Sequence, residues 1–376
     1  MPETEITLTP AERLRGLVGR AMGRLPVAAQ LKLSGRPAVE LDGQRLDPCL
    51  QLLLAANRKR ERFGLCDPDP VTARERFRRE IFIYGGAKTR VGPVRDFEID
   101  GEAGPLRARH YAPPPSAGDS RDLLVYLHGG GFVLGDLETH DEPCRLLCLH
   151  ARTHVLSVEY RLAPEHPFPA GLGDALAALR WAQANAARLG ADPARVSIGG
   201  DSAGGNLAAA ASQLAPRDEA PAAQLLIYPA TDASDRERRR SKELFGRGFF
   251  LAHTDCDAFA RYYAEGTDAR PDDPRVSPLC APDLSGLAPA LVVTAGFDLL
   301  RDEGDDYARA LEAAGNVVAW RRYPSLGHGF MHLTGVCPAA RSALVEFARE
   351  WRALLDRAAP APRPALAEVL HEEVAP

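Results

Sequence analysis

The periodicity of hydrophobic and polar residues differs between two parts of the chain, and the change occurs near residue 90. Before this point, apolar residues recur at helical spacing in three stretches. The first follows the capping box TPAE at residues 9–12, the second spans about residues 48–60, and the third begins near residue 69 and ends before residue 85. We therefore predict a helical region over residues 1–85.

The first of these helices combines an apolar stripe with basic residues on its other faces. The stripe comprises Leu14, Leu17, Val18, Ala21, Met22 and Leu25. The basic residues are Arg13, Arg15, Arg20 and Arg24. A basic amphipathic helix of this kind can lie on a membrane surface. An apolar stripe more often packs against its own chain, and this is the interpretation that we favour.

After residue 90, short β-rich segments alternate with helices. The predicted strands are Val94–Ile99, Leu106–Tyr111, Leu123–Leu127, His154–Val158, Arg195–Ile198, Gln224–Tyr228, Leu291–Thr294 and Val317–Tyr323. The predicted helices include Gly173–Arg188, Ala203–Leu214, Glu303–Ala314 and Ala339–Arg357. Nearly continuous apolar strands that alternate with helices indicate an α/β domain, a mostly parallel sheet covered on both faces. We assign this domain to residues 86–358.

Two segments depart from the α/β pattern. Residues 231–270 are polar and contain the charge run RERRRSK at 236–242, followed by a group of aromatic residues. We interpret them as an insertion over the sheet edge, with the charge run as a solvated face. Residues 359–376 begin with APAPRP, which is typical of a proline-rich linker, and the tail that follows need not be ordered.

Composition and charge limit the partners, the compartment and the metal sites that we expect for this protein. The net charge of -5 gives no sign of a nucleic-acid partner. We expect neither a membrane-spanning helix nor a secretory leader, because no long apolar run or apolar signal core occurs. Seven cysteines without C-x-x-C spacing favour a reducing, cytoplasmic compartment. Cys144, Cys148 and His150 lie close together, but their spacing favours buried thiols over a zinc site.

The clearest chemical signal is a serine among small residues, GGDSAGGN at 199–206. Ser202 fits G-x-S-x-G between a predicted strand and a predicted helix, which is the context of a nucleophile elbow. Gly200 and Gly204 would let strand and helix pack closely, and the hydroxyl would project at the helix N-terminus. The alternative is a phosphate-binding loop, but the segment lacks the P-loop lysine and the G-x-G-x-x-G spacing.

A second glycine motif, HGGGF at 128–132, follows the predicted strand Leu123–Leu127. Its unhindered N–H groups can point at a developing oxyanion, as the N–H of Ala203 can. His128 precedes the glycines, and we expect it to orient the loop by hydrogen bonds rather than to act as a base.

A serine nucleophile needs a base, and in this arrangement the acid and the histidine follow the serine along the chain. Asp298 follows the predicted strand Leu291–Thr294, and His328 follows Val317–Tyr323, which places both at the carboxyl edge of the sheet. The rivals are Asp302 and Glu303 for the acid and His332 for the base.

Four segments together, HGGGF, GDSAGGN, FDLLRDEG and HGF, resemble the hormone-sensitive-lipase-like (family IV) carboxylesterases of the α/β-hydrolase fold. The stretch YRLAPEHPFPA at 160–170 is also similar to that family. The resemblance spans about residues 90–357. It implies an eight-stranded sheet under a helical cap, which residues 1–85 and the insertion at 231–270 would form. Asp201 places the chain in the GDSAG branch.

The resemblance also implies the residue roles. Ser202 would be the nucleophile, His328 the base and Asp298 the orienting acid. The oxyanion hole would be formed by Gly130, Gly131 and Ala203. Two departures are Leu299, where the family often has proline, and an N-terminal region that is longer than usual.

The implied reaction is hydrolysis of short- to medium-chain acyl esters, without a metal or organic cofactor. Candidate pocket residues are Phe132, Asp201, Phe249, Phe250 and Phe330. The aromatic residues Phe249, Phe250, Tyr262 and Tyr263 could equally form the core of the cap. An amidase or lactonase with the same triad stays an alternative, as does a non-catalytic receptor on the same fold. Family members often pair through an edge strand, so a homodimer through Val317–Tyr323 is a further expectation.

Overall fold

The apolar segments of the second half pair into one eight-stranded sheet. The computed structural model describes residues 6–57, 65–66, 69–115, 120–234 and 238–358. The sheet strands are β3 (Val94–Asp100), β4 (Pro105–Tyr111), β5 (Leu123–Leu127), β6 (His154–Val158), β7 (Val196–Asp201), β8 (Gln224–Ile227), β9 (Ala290–Phe297) and β10 (Val318–Gly327). All eight predicted strands are present, within a few residues of their predicted bounds.

The order of the strands places the chemical motifs side by side. The sheet runs β10-β9-β8-β7-β5-β6-β4-β3. The six strands β5 to β10 are parallel, and β3 and β4 are antiparallel at one edge. Because parallel strands end at the same edge, the segments that follow β5, β7, β9 and β10 converge there. The prediction of an α/β-hydrolase fold is confirmed.

Helices cover both faces of this sheet. They are α5 (Asp141–Ala151), α6 (Ala170–Asn185), α7 (Ala203–Leu214), α10 (Arg301–Ala313) and α11 (Pro338–Arg357). One core cluster lies between the sheet and α6, α7 and α10. The other contains α5 and α11 and continues into the N-terminal helices and the insertion. The interior is thus one α/β core with an apolar extension over one face.

The N-terminal region is helical, with one exception. Its elements are α1 (Pro10–Gly23), α2 (Val27–Ser34), β1 (Glu40–Leu41), β2 (Gln44–Arg45), α3 (Pro48–Asn57) and α4 (Pro70–Tyr84). The capping box at Thr9 forms as predicted, with mutual hydrogen bonds between Thr9 and Glu12. Asp69 caps α4, also at the predicted position. The two-residue strands β1 and β2 pair as a hairpin that the sequence did not predict.

The orientation of α1 corrects the sequence interpretation. Its apolar stripe does not pack on the chain, because Leu14, Leu17, Val18 and Leu25 are exposed. The buried face carries Gly16, Gly19 and Gly23 instead. A Cβ atom on Gly23 would overlap the backbone carbonyl of Val336, in the turn before α11. The glycine stripe therefore lets the backbone of α1 approach the body of the protein closely.

The insertion between β8 and β9 forms two helices, α8 (Arg240–Phe245) and α9 (His253–Ala264). The charge run before α8 is only partly solvated, because the side chain of Arg239 is buried and its guanidinium lies 2.7 Å from Asp232 and 3.3 Å from Asp306. The ion pair with Asp306 anchors the insertion to α10. The first two residues of the run (236–237) and the tail at 359–376 lie outside the described residues.

Two further sequence expectations concern cysteines and membranes. Cys144 and Cys148 are fully buried on α5, and burial raises the pKa of the Cys148 thiol to about 12, which fits buried thiols rather than metal ligands. No helix in the described part of the chain has both the length and the apolar character needed to cross a bilayer.

Candidate active site

Ser202 lies in a strained turn between β7 and α7. Its backbone has φ +53° and ψ -117°, a conformation that side-chain-bearing residues rarely adopt. A Cβ atom on Gly200 would overlap the carbonyl of Leu127 on the neighbouring strand and would press against Gly204. A Cβ atom on Gly204 would overlap the same carbonyl. The two glycines therefore allow the close packing that the sequence analysis predicted for this turn.

His328 connects Ser202 to Asp298. The Nε2 atom of His328 lies 2.9 Å from Ser202 Oγ, and its Nδ1 atom lies 2.8 Å from Asp298 Oδ2. Asp298 is buried, and its other oxygen accepts a hydrogen bond of 2.9 Å from the N–H of Leu300. The carboxylate is thus fixed by the loop after β9, while the imidazole comes from the end of β10.

The rival residues point elsewhere. Asp302 accepts hydrogen bonds from the N–H of Ser241 and from Arg301. Glu303 accepts from the N–H of Thr231, and burial raises its pKa to about 7. His332 is buried beside Asp201, away from the serine hydroxyl, and burial lowers its pKa to about 3.

The HGGG loop bends sharply between β5 and the cleft. Gly130 and Gly131 have φ values of +121° and +60°, and Phe132 follows with +65°. A Cβ atom on Gly131 would overlap the ring of Phe259 from α9. Among the described residues, no carbonyl or side chain accepts a hydrogen bond from the N–H of Gly130, Gly131 or Ala203. These three donors are available to a ligand.

Asp201 ties the serine turn to the HGGG loop. Its Oδ1 atom accepts hydrogen bonds from the N–H of Gly129 (2.9 Å) and the hydroxyl of Tyr126 (2.7 Å). The Nε2 atom of His140 lies 3.2 Å from the same oxygen, and the hydroxyl of Tyr228 donates to Oδ2 at 3.4 Å. Burial alone would raise the pKa of Asp201, but His140 and these donors hold it well below its usual range.

His128 is buried at the start of the same loop. Its Nδ1 atom lies 3.0 Å from the carbonyl oxygen of Gly129, and its ring stacks on Tyr160 with centroids 4.4 Å apart. Burial lowers the pKa of His128 to about 4, so the imidazole is neutral at pH 7. Its contacts are with the loop and not with Ser202.

Two groups of described residues bring three potential metal ligands within 4.8 Å of one another. They are Asp47, Cys49 and Cys337, and His140, Asp201 and His332. Hydrogen bonds already engage both groups: the thiol of Cys337 donates to Asp47 at 3.7 Å, and Asp201 Oδ1 has the donors described above. We assign neither group to a metal.

A cleft of about 1320 Å³ opens above Ser202 and His328. The N-terminal region contributes Leu53, Leu54, Phe77 and Ile81 to its walls, among others. The insertion contributes Phe249, Phe250, Leu251 and Phe259. Apolar residues from both segments thus contribute to the walls of the cleft that contains Ser202 and His328.

Two of the five pocket residues chosen from sequence, Phe132 and Phe330, are not among the residues that line this cleft. Phe330 is fully buried and packs edge-to-face on Tyr228, so its assignment to the pocket is wrong. Phe132 stacks on Tyr263 with centroids 3.8 Å apart, and neither ring is among the cleft walls. Asp201 borders the cleft, but hydrogen bonds occupy its buried carboxylate.

The sequence analysis missed the groups that surround Asp201. Tyr126 and Tyr228 lie at the carboxyl ends of β5 and β8, and His140 precedes α5. The sequence places both tyrosines at the carboxyl edge of the sheet, and this position could have indicated that they lie near Asp201. His140 is far from the motifs in sequence, and only the fold brings it to Asp201.

Comparison with known proteins agrees with the fold. Residues 124–332 match a family described as alpha/beta hydrolase fold. The chain is 47% identical over 342 residues to the carboxylic ester hydrolase LipN of Mycobacterium tuberculosis, covering 89% of each chain. It is 39% identical to an ethyl acetate hydrolase of Pseudomonas putida, covering 73% of this chain and 86% of the relative.

Solved structures give the same result. An α/β hydrolase from the metagenome of Lake Arreo, Spain, superposes with a TM-score of 0.77 at 40% identity, covering 82% of this chain and 98% of the other. The similarity in sequence and structure extends over the sheet that carries Ser202, Asp298 and His328. The chain therefore belongs to the hormone-sensitive-lipase-like (family IV) carboxylic ester hydrolases of the α/β-hydrolase fold.

Proposed function

We propose that this carboxylic ester hydrolase uses Ser202 as its nucleophile and that its substrates are short- to medium-chain acyl esters. The observation that carries the proposal is the continuous contact from Asp298 through His328 to Ser202 Oγ. An ionised carboxylate only accepts hydrogen bonds, so Nδ1–H of His328 donates to Asp298. Nε2 is then free to accept the serine proton.

The reaction begins when Ser202 Oγ attacks the ester carbonyl and His328 takes its proton. The carbonyl oxygen becomes an oxyanion, which the N–H groups of Gly130, Gly131 and Ala203 stabilise. Each such donor contributes about 3 kcal/mol to lowering the barrier. The N-terminus of α7, a 12-residue helix, adds a favourable dipole at the same point.

The second half of the reaction releases the acid. His328 returns its proton to the leaving alcohol, and Ser202 keeps the acyl group as an ester. His328 then deprotonates a water molecule, which attacks the acyl carbonyl. The bond between the acyl carbon and Ser202 Oγ breaks, the acid leaves, and His328 returns the proton to Ser202 Oγ. Asp298 holds the imidazole in the required tautomer and stabilises its charged form in both halves.

We assign the acyl-binding role to the apolar walls of the cleft. Residues 1–85 and 231–270 form the proposed cap, because both contribute side chains to these walls. A volume of about 1320 Å³ admits medium-length acyl chains as well as acetate. The similarity to an ethyl acetate hydrolase supports the short end of the range.

The test is hydrolysis of p-nitrophenyl esters from acetate to palmitate. We expect a maximum at short or medium chains, and loss of at least about 10⁴-fold in kcat in Ser202→Ala. Ser197→Ala is the matched control, because Ser197 is a buried serine on β7, the strand before Ser202, and lies outside the cleft. Activity in Ser202→Ala equal to that of the control would contradict the assignment of the nucleophile.

The rival residues supply further controls. Asp298→Asn should lower kcat by about 10³- to 10⁴-fold, whereas Asp302→Asn should leave it within a few-fold of wild type. His328→Gln should abolish turnover, and His332→Gln should retain it. Matched anilide and lactone substrates, measured on wild type, decide between an esterase and an amidase or lactonase.

A further inference from the structure

Three large apolar side chains on one side of α1, and Leu25 just after its end, point away from the protein. Leu14, Leu17, Val18 and Leu25 expose 61%, 59%, 45% and 37% of their surface, respectively. They recur at helical spacing and, with the exposed Ala21, form a continuous row that we call the α1 outer face. Such a row on a surface helix is unusual, because apolar residues normally face the core.

Packing and ion pairs hold α1 in this orientation. Gly23 on the opposite side touches the chain so closely that a Cβ atom would not fit. Glu12 lies 3.0 Å from Arg79 on α4, and Arg15 lies 2.5 Å from Glu80 on the same helix. Rotating α1 to bury its leucines would break these contacts, so the outer face remains available to a partner.

Positive charge accompanies the outer face. Residues 10–36 contain six lysines and arginines and one acidic residue, in a chain whose net charge is -5. Arg13, Arg20 and Arg24 recur at i, i+7 and i+11, which puts them in one row along a flank of the outer face. Lys32 and Arg36 are exposed after it. The acidic residue is Glu12, which Arg79 neutralises.

We propose that the α1 outer face docks this protein on an anionic lipid bilayer, with its leucines in the headgroup–acyl boundary and its arginines on lipid phosphates. An apolar row beside a basic row is the pattern of a helix that lies in the plane of a membrane interface. The apolar side chains of α2 extend the contact, since Val27 and Leu33 are also more than half exposed.

Charge complementarity favours an anionic bilayer over a second copy of the chain as the partner of the α1 outer face. A two-fold symmetric dimer through the outer face would pair identical patches and bring the two arginine rows towards each other. An anionic surface instead neutralises them. The inference does not depend on the proposed esterase function, although α4, which packs against α1, contributes Phe77 and Ile81 to the cleft.

Co-sedimentation of the full chain with sucrose-loaded vesicles tests the docking. We expect binding to phosphatidylcholine vesicles that contain phosphatidylglycerol, weaker binding at high salt, and no binding to phosphatidylcholine alone. Leu17→Asp combined with Val18→Asp should weaken binding at least about tenfold. Arg20→Gln should weaken it about fivefold. Val317→Asp is the matched control, with 60% exposure in wild type, and should bind normally.

Hydrolysis of p-nitrophenyl acetate in the absence of vesicles reports on the site separately. All these variants should hydrolyse it as wild type does, because none of the substituted residues lies in the cleft. The proposal is overturned if wild type fails to co-sediment, or if the Leu17 and Val18 substitutions leave binding unchanged. It is equally overturned if wild type forms a dimer that these substitutions dissociate. Vesicle binding by a chain without esterase activity would refute the proposed function and leave the docking intact.

Discussion

Replacing Asp201 with asparagine tests whether the serine turn and the HGGG loop work as one unit. The substitution keeps the shape of the side chain and one acceptor oxygen, but it removes the negative charge. Tyr126 and Gly129 then donate to a neutral amide, and His140 loses its charged neighbour. The substitution therefore changes the electrostatics of the turn, and the size of the side chain at position 201 stays almost the same.

The expected cost follows from the number of contacts. A hydrogen bond to a charged acceptor contributes about 1.5–3 kcal/mol, against about 1 kcal/mol for a neutral pair. Three weakened contacts should lower the free energy of unfolding by about 2–3 kcal/mol. A looser Gly129 also lets Gly130, the neighbouring residue that we propose as an oxyanion donor, move. We expect kcat to fall about tenfold, which corresponds to about 1.4 kcal/mol in the barrier.

Asp122→Asn is the matched control. Asp122 is also buried and precedes β5, at the opposite end of the strand from His128. It pairs with Arg195 at 2.8 Å and with Arg352 at 2.7 Å. Its substitution should therefore lower stability by a similar amount and leave kcat unchanged.

Urea unfolding and steady-state kinetics on p-nitrophenyl acetate measure both quantities. In Asp201→Asn, kcat should fall while KM stays close to wild type, because the loop donors act mainly on the transition state. If Asp201→Asn loses stability but keeps the kcat of wild type, it behaves as Asp122→Asn does. The inferred coupling of Asp201 to the oxyanion donors would then be refuted.

Four further substitutions test the packing at two glycines, the protonation of a buried histidine and the orientation of α1. Gly204→Ala should prevent the native turn from forming, because the new methyl group would overlap the carbonyl of Leu127; the yield of folded protein and the melting temperature measure this. Burial and a neighbouring histidine lower the pKa of His110 to about 4, so the unfolded chain takes up the proton first as pH falls from 6.5. His110 should therefore lower the free energy of unfolding by about 2–3 kcal/mol between pH 7 and pH 4.5. Urea titrations at the two pH values measure this difference, and His110→Asn should remove the part that is due to His110. Leu17→Ser should change the free energy of unfolding by less than about 0.5 kcal/mol, whereas Gly23→Ala should lower it by several times as much; the reverse order would refute the orientation of α1.

The sheet and the reactive groups were predictable because their signals are local. The central strands β5, β6, β8 and β9 are short apolar runs, and each reactive residue directly follows a strand. The parallel arrangement then brings Ser202, Asp298 and His328 to a common edge without further information. Their contacts in the structure depend on the close packing of β7 and α7 at Gly200 and Gly204, and glycine itself is the sequence signal for this packing.

The surroundings of the site were less predictable, because several elements build them. Phe330 follows the HGF motif, yet the short helical turn after His328 directs its ring into the core. Asp201 belongs to the GDSAG motif, but its partners come from β5, β8 and the start of α5. The spacing of residues within one motif carries no information about such long-range contacts.

The orientation of α1 marks a second limit of periodicity. This helix has two stripes at the same spacing, one of leucine and valine and one of Gly16, Gly19 and Gly23. Either stripe could face the body of the protein, and periodicity alone favours the apolar one. The glycine stripe faces inward because it allows contact between backbones, for which a leucine side chain leaves no room. The leucines are then exposed in the folded chain as they are in the unfolded one, so they contribute little to folding. An apolar row that does not serve the core, next to a row of arginines, fits a lipid surface better than it fits water.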